Sequence, residues 1–140
     1  MGAHLLRFPR RVLVVEAHED TRNLHVEHLQ ACGFTVTASW RLDDGIRLAA
    51  AADAIVTGLC IERLFDGFEF IAAVRAAEKQ PGHTPIIVVT AHAQAAIRQQ
   101  ATAAGADIFF TKPCSPDVLA AAVSQATQQD ASSSGDQRAS

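Results

Sequence analysis

Short apolar runs alternate with helical patterns along most of the chain. The runs are rich in valine and isoleucine, and several are apolar at almost every position, which is typical of parallel strands covered by helices on both faces. This alternation predicts a series of βα units around a parallel sheet. The strands are predicted at Val12–Val15, Thr35–Ala38, Ala54–Thr57, Pro85–Thr90 and Asp107–Phe110, and the helices at Glu19–Cys32, Leu42–Ala51, Phe68–Lys79, Ala93–Ala104 and Pro116–Gln128.

Local signals support several of the predicted helix ends. Gly33 and Gly105 directly follow predicted helices, where a left-handed residue commonly ends a helix. Ser115 followed by Pro116 has the order of an N-cap and a first-turn proline. In the first helix, His25 falls on the face that would be buried. There we expect a hydrogen-bonded core histidine rather than a ligand.

Length and charge narrow the class of protein. The chain has 140 residues, which suggests one domain, and its net charge of −3 gives no general attraction to nucleic acid or anionic membranes. The apolar stretches are shorter than a membrane span or a signal-peptide core, so we expect a cytoplasmic protein. We divide the chain into an N-terminal extension at 1–10, a domain at 11–128 and a disordered, serine-rich tail at 129–140.

The cysteines do not have the pattern of a disulfide framework. Cys32, Cys60 and Cys114 are odd in number and lack Cys-x-x-Cys spacing, which favours reduced thiols. Cys60 and Cys114 each follow a candidate site position by two residues, so redox sensing is one interpretation. We favour the simpler one, in which they are small apolar residues.

The residues at the carboxyl ends of the predicted strands carry a family resemblance. The motifs are Glu16-Ala17-His18 after the first strand, Asp66-Gly67 before the third helix, Thr90-Ala91 after the fourth strand, and Phe109 with Lys112-Pro113 around the end of the fifth. With these motifs in this order, the chain from roughly Arg11 to Gln128 resembles the receiver domain of response regulators. The resemblance implies an α/β, flavodoxin-like doubly wound (βα)5 three-layer sandwich, with a five-stranded parallel sheet in the order 2-1-3-4-5.

Position 58 departs from the family's pattern. In receivers the third strand ends in an aspartate that accepts a phosphoryl group, whereas Ala54–Thr57 is followed by Gly58. A carboxylate oxygen is the nucleophile in aspartyl-phosphate chemistry, and glycine has none. The resemblance also implies two acids after the first strand that help to hold magnesium. Here they are Glu16 and Ala17, so we expect magnesium binding to be weak or absent, with no other metal or cofactor.

The remaining pocket residues can balance one another without an ion. An unpaired, partly buried ammonium is costly, so Lys112 is predicted to contact Glu16 or a backbone carbonyl. The resemblance implies that Thr90 and Phe109 are switch residues. His18 and His92 could lie near Glu16 and suggest a metal or pH sensor, but receivers often carry histidines there, and we favour no ligand role.

These features predict a stand-alone pseudo-receiver, a non-enzymatic protein-interaction module in two-component or phosphorelay signalling. The expected partner is a histidine kinase or another regulator, the expected state is a monomer or weak dimer, and the resemblance implies a docking face that includes Ile97, Arg98 and Gln99. Two alternatives stay open. Glu62, Asp66 or a histidine could replace the phosphoacceptor, or the emptied pocket could sense a small ligand.

Overall fold

Strands and helices alternate along the chain. The structure is a computed structural model that describes residues 10–79 and 81–136, with the surroundings of side chains described through Gln128. Each strand is followed by one helix, as predicted. The elements are β1 (Arg11–Val15), α1 (Glu19–Ala31), β2 (Thr35–Ser39), α2 (Leu42–Ala49), β3 (Ala54–Thr57), α3 (Gly67–Ala77), β4 (Ile86–Thr90), α4 (Ala95–Ala104), β5 (Ile108–Thr111) and α5 (Pro116–Asp136).

The strands form one parallel sheet in the order β2-β1-β3-β4-β5, which confirms the predicted flavodoxin-like topology. In register, Val14 lies between Ala38 of β2 and Val56 of β3. The strand order reverses direction at β1 and β3. In doubly wound sheets this reversal opens a crevice at the carboxyl ends of the strands, and that crevice is the usual place for a functional site.

The sheet separates two apolar cores, which explains why its central strands are apolar at nearly every position. One core packs α2, α3 and α4 against one face, with Phe70 and Ile71 fully buried. The other packs α1 and α5 against the opposite face, with Leu29 and Val123 fully buried. None of the helices in the described ranges combines the length and apolarity needed to cross a membrane.

The local signals at the helix ends are confirmed. Gly33 and Gly105 have φ angles of 100° and 125°, in the left-handed region that favours glycine. The Ser115 hydroxyl accepts hydrogen bonds from the backbone N–H groups of Asp117 and Val118, at 3.2 and 3.4 Å. Ser115 is therefore the N-cap of α5, as the sequence predicts.

The largest departure from the predicted elements is at the carboxyl end of the chain. Helix α5 continues to Asp136, so residues 129–136, which we predicted to be disordered, are helical. The sequence there is polar and contains no proline, so no residue in it forces the helix to end at Gln128. Residues 1–9 of the predicted N-terminal extension and 137–140 of the predicted tail lie outside the described ranges.

Candidate functional site

The carboxyl ends of β1, β3, β4 and β5 converge on a small pocket of about 120 Å³. Four of the predicted site residues line it: Glu16, Gly58, Thr90 and Lys112. Each directly follows or ends a strand, so the sheet itself fixes where its backbone lies. Cys60 and His92, from the loops after β3 and β4, are also among the lining residues.

An ion pair occupies the polar side of the pocket. Lys112 Nζ lies 3.3 Å from Glu16 Oε1, which confirms the predicted contact. The Glu16 side chain is only 8% exposed and the Lys112 side chain 31%, so the carboxylate is the more deeply desolvated partner. The other carboxylate oxygen, Oε2, accepts a hydrogen bond from the backbone N–H of His18 at 2.9 Å. The charge of Glu16 is thus balanced by groups of the chain itself.

Glu16 also fills the space beside residue 58. A Cβ built on Gly58 would lie 3.5 Å from Glu16 Oε1 and 3.8 Å from the carbonyl oxygen of Val89, which are ordinary van der Waals distances. A side chain could therefore start at this position, but a carboxylate there would meet the carboxylate of Glu16. Steric crowding therefore does not explain why residue 58 is glycine.

The donor set around the pocket does not fit magnesium. Magnesium requires near-octahedral oxygen ligands and usually binds through carboxylates. Among the described residues, Glu16 is the single carboxylate that lines the pocket, and it is already paired with Lys112. Ala17 is exposed and has no ligating side chain. Within the described residues, no cluster of three or more histidine, cysteine, aspartate or glutamate side chains is arranged to hold a metal ion.

The two acids considered as substitute phosphoacceptors are held by backbone groups. Asp66 is 5% exposed, and its carboxylate accepts hydrogen bonds from the N–H groups of Ile61, Glu62 and Arg63 at 2.6, 2.9 and 3.0 Å. Glu62 Oε2 accepts from the N–H of Leu42 at 2.6 Å, at the start of α2. Asp66 therefore shapes the loop after β3, and Glu62 ties this loop to α2.

The same loop folds tightly onto the end of β3. Gly67, at the start of α3, donates its N–H to the carbonyl oxygen of Leu59 at 2.9 Å. A Cβ on Gly67 would lie 2.5 Å from the Leu59 Cα and 2.6 Å from the Gly58 carbonyl oxygen, which is closer than real Cβ atoms approach. Only glycine permits this path.

Cys60 and His92 form a pair that the sequence did not predict. Cys60 Sγ lies 3.9 Å from His92 Nε2 and accepts a hydrogen bond from the backbone N–H of Phe65 at 3.4 Å. The Phe65 ring meets the His92 ring edge-on, with 4.8 Å between centroids. His18 does not share this site. Its Nδ1 accepts a hydrogen bond from the backbone N–H of Thr21, so it is the N-cap of α1.

The two residues expected to act as switches are both held in place. Thr90 is buried, and its hydroxyl accepts a hydrogen bond from the backbone N–H of His92 at 3.2 Å. Phe109 is partly buried outside the pocket, and the guanidinium of Arg98 lies 4.5 Å from its ring centroid. On helix α4, which contains Arg98, Ile97 is partly buried, whereas Arg98 and Gln99 are exposed.

His25 is buried on the inner face of α1, as predicted, but the expected hydrogen-bond partner is missing at one nitrogen. The side chain is 3% exposed, and its Nδ1 has no hydrogen-bond partner among the described residues. Burial lowers the pKa of His25 below its ordinary value of 6.5, the nearby Glu16 carboxylate raises the pKa, and Lys112 lowers it further. The charges of Glu16 and Lys112 in the pocket therefore affect the pKa of His25.

Comparison with known families gives the same assignment as this geometry. The family model described as the response regulator receiver domain matches residues 12–124. Among curated proteins, a hybrid signal transduction histidine kinase I of Dictyostelium discoideum is 30% identical over 79% of the chain, and the transcriptional regulatory protein GlrR of Escherichia coli is 28% identical over 88%. The chain spans only 7% and 27% of the lengths of these two proteins.

Another relative is similar in size to this chain. A 14.6 kDa protein of Leptolyngbya boryana is 33% identical over 81% of the chain and 87% of its own length. Among solved structures, the chemotaxis response regulator CheY4 of Vibrio cholerae has a TM-score of 0.74 and 27% identity, over 84% of this chain and 98% of that chain. The receiver domain of the sensor histidine kinase PA1611 from Pseudomonas aeruginosa, solved with magnesium coordinated in its active-site cleft, has a TM-score of 0.75 and 24% identity, over 86% of this chain and 98% of that chain.

Proposed function

The chain belongs to the response regulator receiver family, and from that premise we propose that it is a pseudo-receiver, which binds a signalling partner without being phosphorylated at the usual position. The observation that carries this proposal is the arrangement at the end of β3. Residue 58 has no side chain, and the Glu16 carboxylate lies 3.5 Å from where a Cβ would be and 3.3 Å from Lys112 Nζ. The lysine that would stabilise an acyl phosphate in the family is paired with a fixed carboxylate instead.

Substitute acceptors are disfavoured by their surroundings. Phosphoryl transfer requires the attacking oxygen to lie in line with the leaving group, close to groups that neutralise the developing charge. The Asp66 carboxylate would have to release three backbone N–H donors, and the Glu62 carboxylate would have to leave the start of α2. Neither residue lines the pocket that contains Lys112.

A ligand sensor is supported less well than a binding module. Sites for drug-sized ligands usually have volumes above about 300 Å³. The pocket between Glu16 and His92 has about 120 Å³, which leaves room for only a few heavy atoms. We therefore assign the signalling role to the surface of the domain.

The proposed partner face is centred on α4 and β5. Arg98 and Gln99 are exposed there, and Ile97 and Phe109 lie partly buried beneath them. An apolar centre with a polar surround is typical of protein interfaces. We propose a histidine kinase or another regulator as the partner, and a cytoplasmic monomer or weak dimer as the protein's state.

The test is a binding experiment that separates docking from phosphorylation. A partner is captured from a lysate of the source cells, purified, and titrated against the wild type and against the double variant Arg98→Ala/Gln99→Ala. We expect the double variant to bind at least about tenfold more weakly, because arginine is enriched among the interface residues whose truncation costs most, and a loss of about 1.4 kcal/mol weakens binding tenfold. A small phosphodonor should not change wild-type binding.

The matched control is Arg47→Ala, which removes an exposed arginine from α2, where it pairs with Asp44. This variant should bind like the wild type. Binding that needs the phosphodonor, or that is lost in Arg47→Ala and kept in Arg98→Ala/Gln99→Ala, would contradict the proposal.

A further inference from the structure

Cys60 is surrounded differently from the other two cysteines. Its sulfur lies 3.9 Å from His92 Nε2, and the backbone N–H of Phe65 donates a hydrogen bond to it at 3.4 Å. Phe65 has a φ angle of 59°, an uncommon conformation for a residue with a side chain. In this conformation its N–H points at the sulfur of Cys60. Such backbone strain persists only where surrounding contacts enforce it.

The orientation of His92 is also fixed. The ring is held edge-on by the Phe65 ring at 4.8 Å, and the backbone N–H of His92 is held by the Thr90 hydroxyl at 3.2 Å. The imidazole Nε2 is therefore kept beside the sulfur. A thiol next to an imidazole can transfer its proton to that ring, and an N–H donor favours the resulting thiolate.

The pair also has access to a small reactant. Cys60 and His92 both line the pocket of about 120 Å³, together with Lys112, and Cys60 itself is partly exposed. This volume exceeds the space that a single water molecule needs, which is about 10–15 Å³ by the same kind of measure. A hydroperoxide with two heavy atoms fits, and a nucleotide does not.

We propose that Cys60 and His92 form an oxidation site, at which Cys60 is the residue modified by hydrogen peroxide. The thiol proton moves to His92 Nε2, and the thiolate attacks one peroxide oxygen. The S–O bond forms as the O–O bond breaks, sulfur loses two electrons, and the peroxide is reduced. The leaving hydroxide takes the proton from the His92 imidazolium, so the products are Cys60 sulfenic acid and water. A thiol then forms a mixed disulfide with Cys60 and releases water, and a further thiol reduces that disulfide and restores the Cys60 thiol.

The other cysteines provide references within the same molecule. Cys32 is exposed, and its side chain has no hydrogen-bond partner among the described residues, so its labelling rate is the reference for the other two. Burial raises the pKa of Cys114, and its thiol donates a hydrogen bond to the carbonyl oxygen of Ser115 at 3.7 Å. Cys114 should therefore be the slowest of the three to react, because the thiolate is the reactive form.

Oxidation would change the loops that border the pocket. A sulfenic oxygen on Cys60 would add a polar atom beside His92 and the N–H of Phe65, both of which now contact the sulfur. These two contacts join the loops after β3 and β4, and oxidation would alter them. The site would thus give the domain a chemical input that does not depend on phosphorylation and does not rest on the proposed partner face.

The test measures the rate of sulfenic acid formation at each cysteine in the full chain. The reduced protein is treated with hydrogen peroxide in the presence of dimedone, and labelling at Cys32, Cys60 and Cys114 is followed by peptide mass spectrometry. We expect Cys60 to be labelled about tenfold faster than Cys32, and His92→Gln to remove most of that advantage while Cys32 reacts at its wild-type rate. Equal labelling of Cys60 and Cys32 in the wild type, or an unchanged Cys60 rate in a folded His92→Gln variant, would overturn the proposal.

A second measurement on the wild type covers the case in which His92→Gln does not fold. In urea, the environment of Cys60 is lost, and the labelling rates of Cys60 and Cys32 should become equal. If the preference for Cys60 persisted in the unfolded chain, it would come from local sequence and not from the pair with His92. That result would also overturn the proposal.

Discussion

Glu16 places its carboxylate between Gly58 at the end of β3 and Lys112 at the end of β5. This side chain is longer than an aspartate, and it brings Oε1 to 3.5 Å from the position of a Cβ on residue 58 and to 3.3 Å from Lys112 Nζ. The carboxylate beside Lys112 is thus that of Glu16, which directly follows β1. This carboxylate also accepts the His18 N–H, so contacts at both oxygens hold it in place.

The lowered pKa of His25 leads us to predict that the stability of the protein depends on pH. Burial is the main cause that lowers its pKa below 6.5, so the unfolded chain takes up a proton first as the pH falls. Its contribution to stability is complete above pH 6.5 and is lost progressively below that value. The free energy of unfolding should fall by up to about 1.4 kcal/mol per pH unit from this group alone.

The check is to compare His25→Leu with the wild type by urea denaturation across this pH range. The variant keeps an apolar side chain of similar bulk and cannot take up the proton, so its stability should vary less with pH below 6.5. Above about pH 7.5, where histidine is neutral in both states, the difference between the two proteins should be constant. Identical slopes below pH 6.5 would show that His25 is not buried in its neutral form.

Individual residues divide into those that the sequence could place and those that it could not. The contact between Lys112 and Glu16 followed from strand ends that share one edge of the sheet and from the cost of an unpaired ammonium. The pair of Cys60 with His92 depends on the path of an irregular loop and on the positive φ of Phe65, which no periodicity reveals. The unpartnered Nδ1 of His25 likewise depends on the details of packing.

At the scale of elements, the loop after β3 determines the shape of the pocket. Asp66 gathers three backbone N–H groups of this loop, Glu62 anchors it to α2, and Gly67 lies directly against Gly58 and Leu59. The acids that the sequence suggested as chemical substitutes are used to build this loop. The sequence showed where the loop begins and ends, but not which charges fold back onto its own backbone.

Gly67 and Gly58 make a matched pair for testing this account of the loop. Gly67→Ala would place a Cβ 2.5 Å from the Leu59 Cα, whereas the Cβ of Gly58→Ala would approach nothing closer than 3.5 Å. We expect Gly67→Ala to lower the free energy of unfolding by about 2–3 kcal/mol or more, and Gly58→Ala to change it by less than about 1 kcal/mol.

Urea denaturation of both variants at neutral pH measures the difference. Similar, small effects of the two substitutions would mean that Gly67 does not pack against the end of β3 as described. A large loss of stability in Gly58→Ala would mean that space, and not chemistry, requires glycine at position 58.

The regular elements were predictable because their patterns are strong. Strands β1, β3 and β4 are covered on both faces, so their apolar runs read clearly from the sequence. The ends of the helices were less certain. Helix α4 begins at Ala95 and not at Ala93, and α5 passes Gln128, where no proline ends it.

At the scale of the whole molecule, the sheet, both cores and the strand order of a receiver are retained, while residue 58 at one edge of the sheet is glycine. The cores lie on either side of the sheet and do not depend on the pocket, so changes at Glu16, Ala17 and Gly58 leave the fold in place. The proposed partner face on α4 and β5 does not include Gly58. A receiver that is not phosphorylated at this position could therefore keep such a surface, as the proposed function requires.

The measurement that tests this account most directly is phosphorylation by a small phosphodonor such as acetyl phosphate with magnesium, followed by intact-mass spectrometry. The Ala17→Asp/Gly58→Asp variant, which restores the missing carboxylates, is the positive control and should gain a base-labile phosphoryl group. The account predicts that the wild type gains no phosphoryl mass under the same conditions. An acid-stable, base-labile phosphoryl group on the wild-type chain would contradict it.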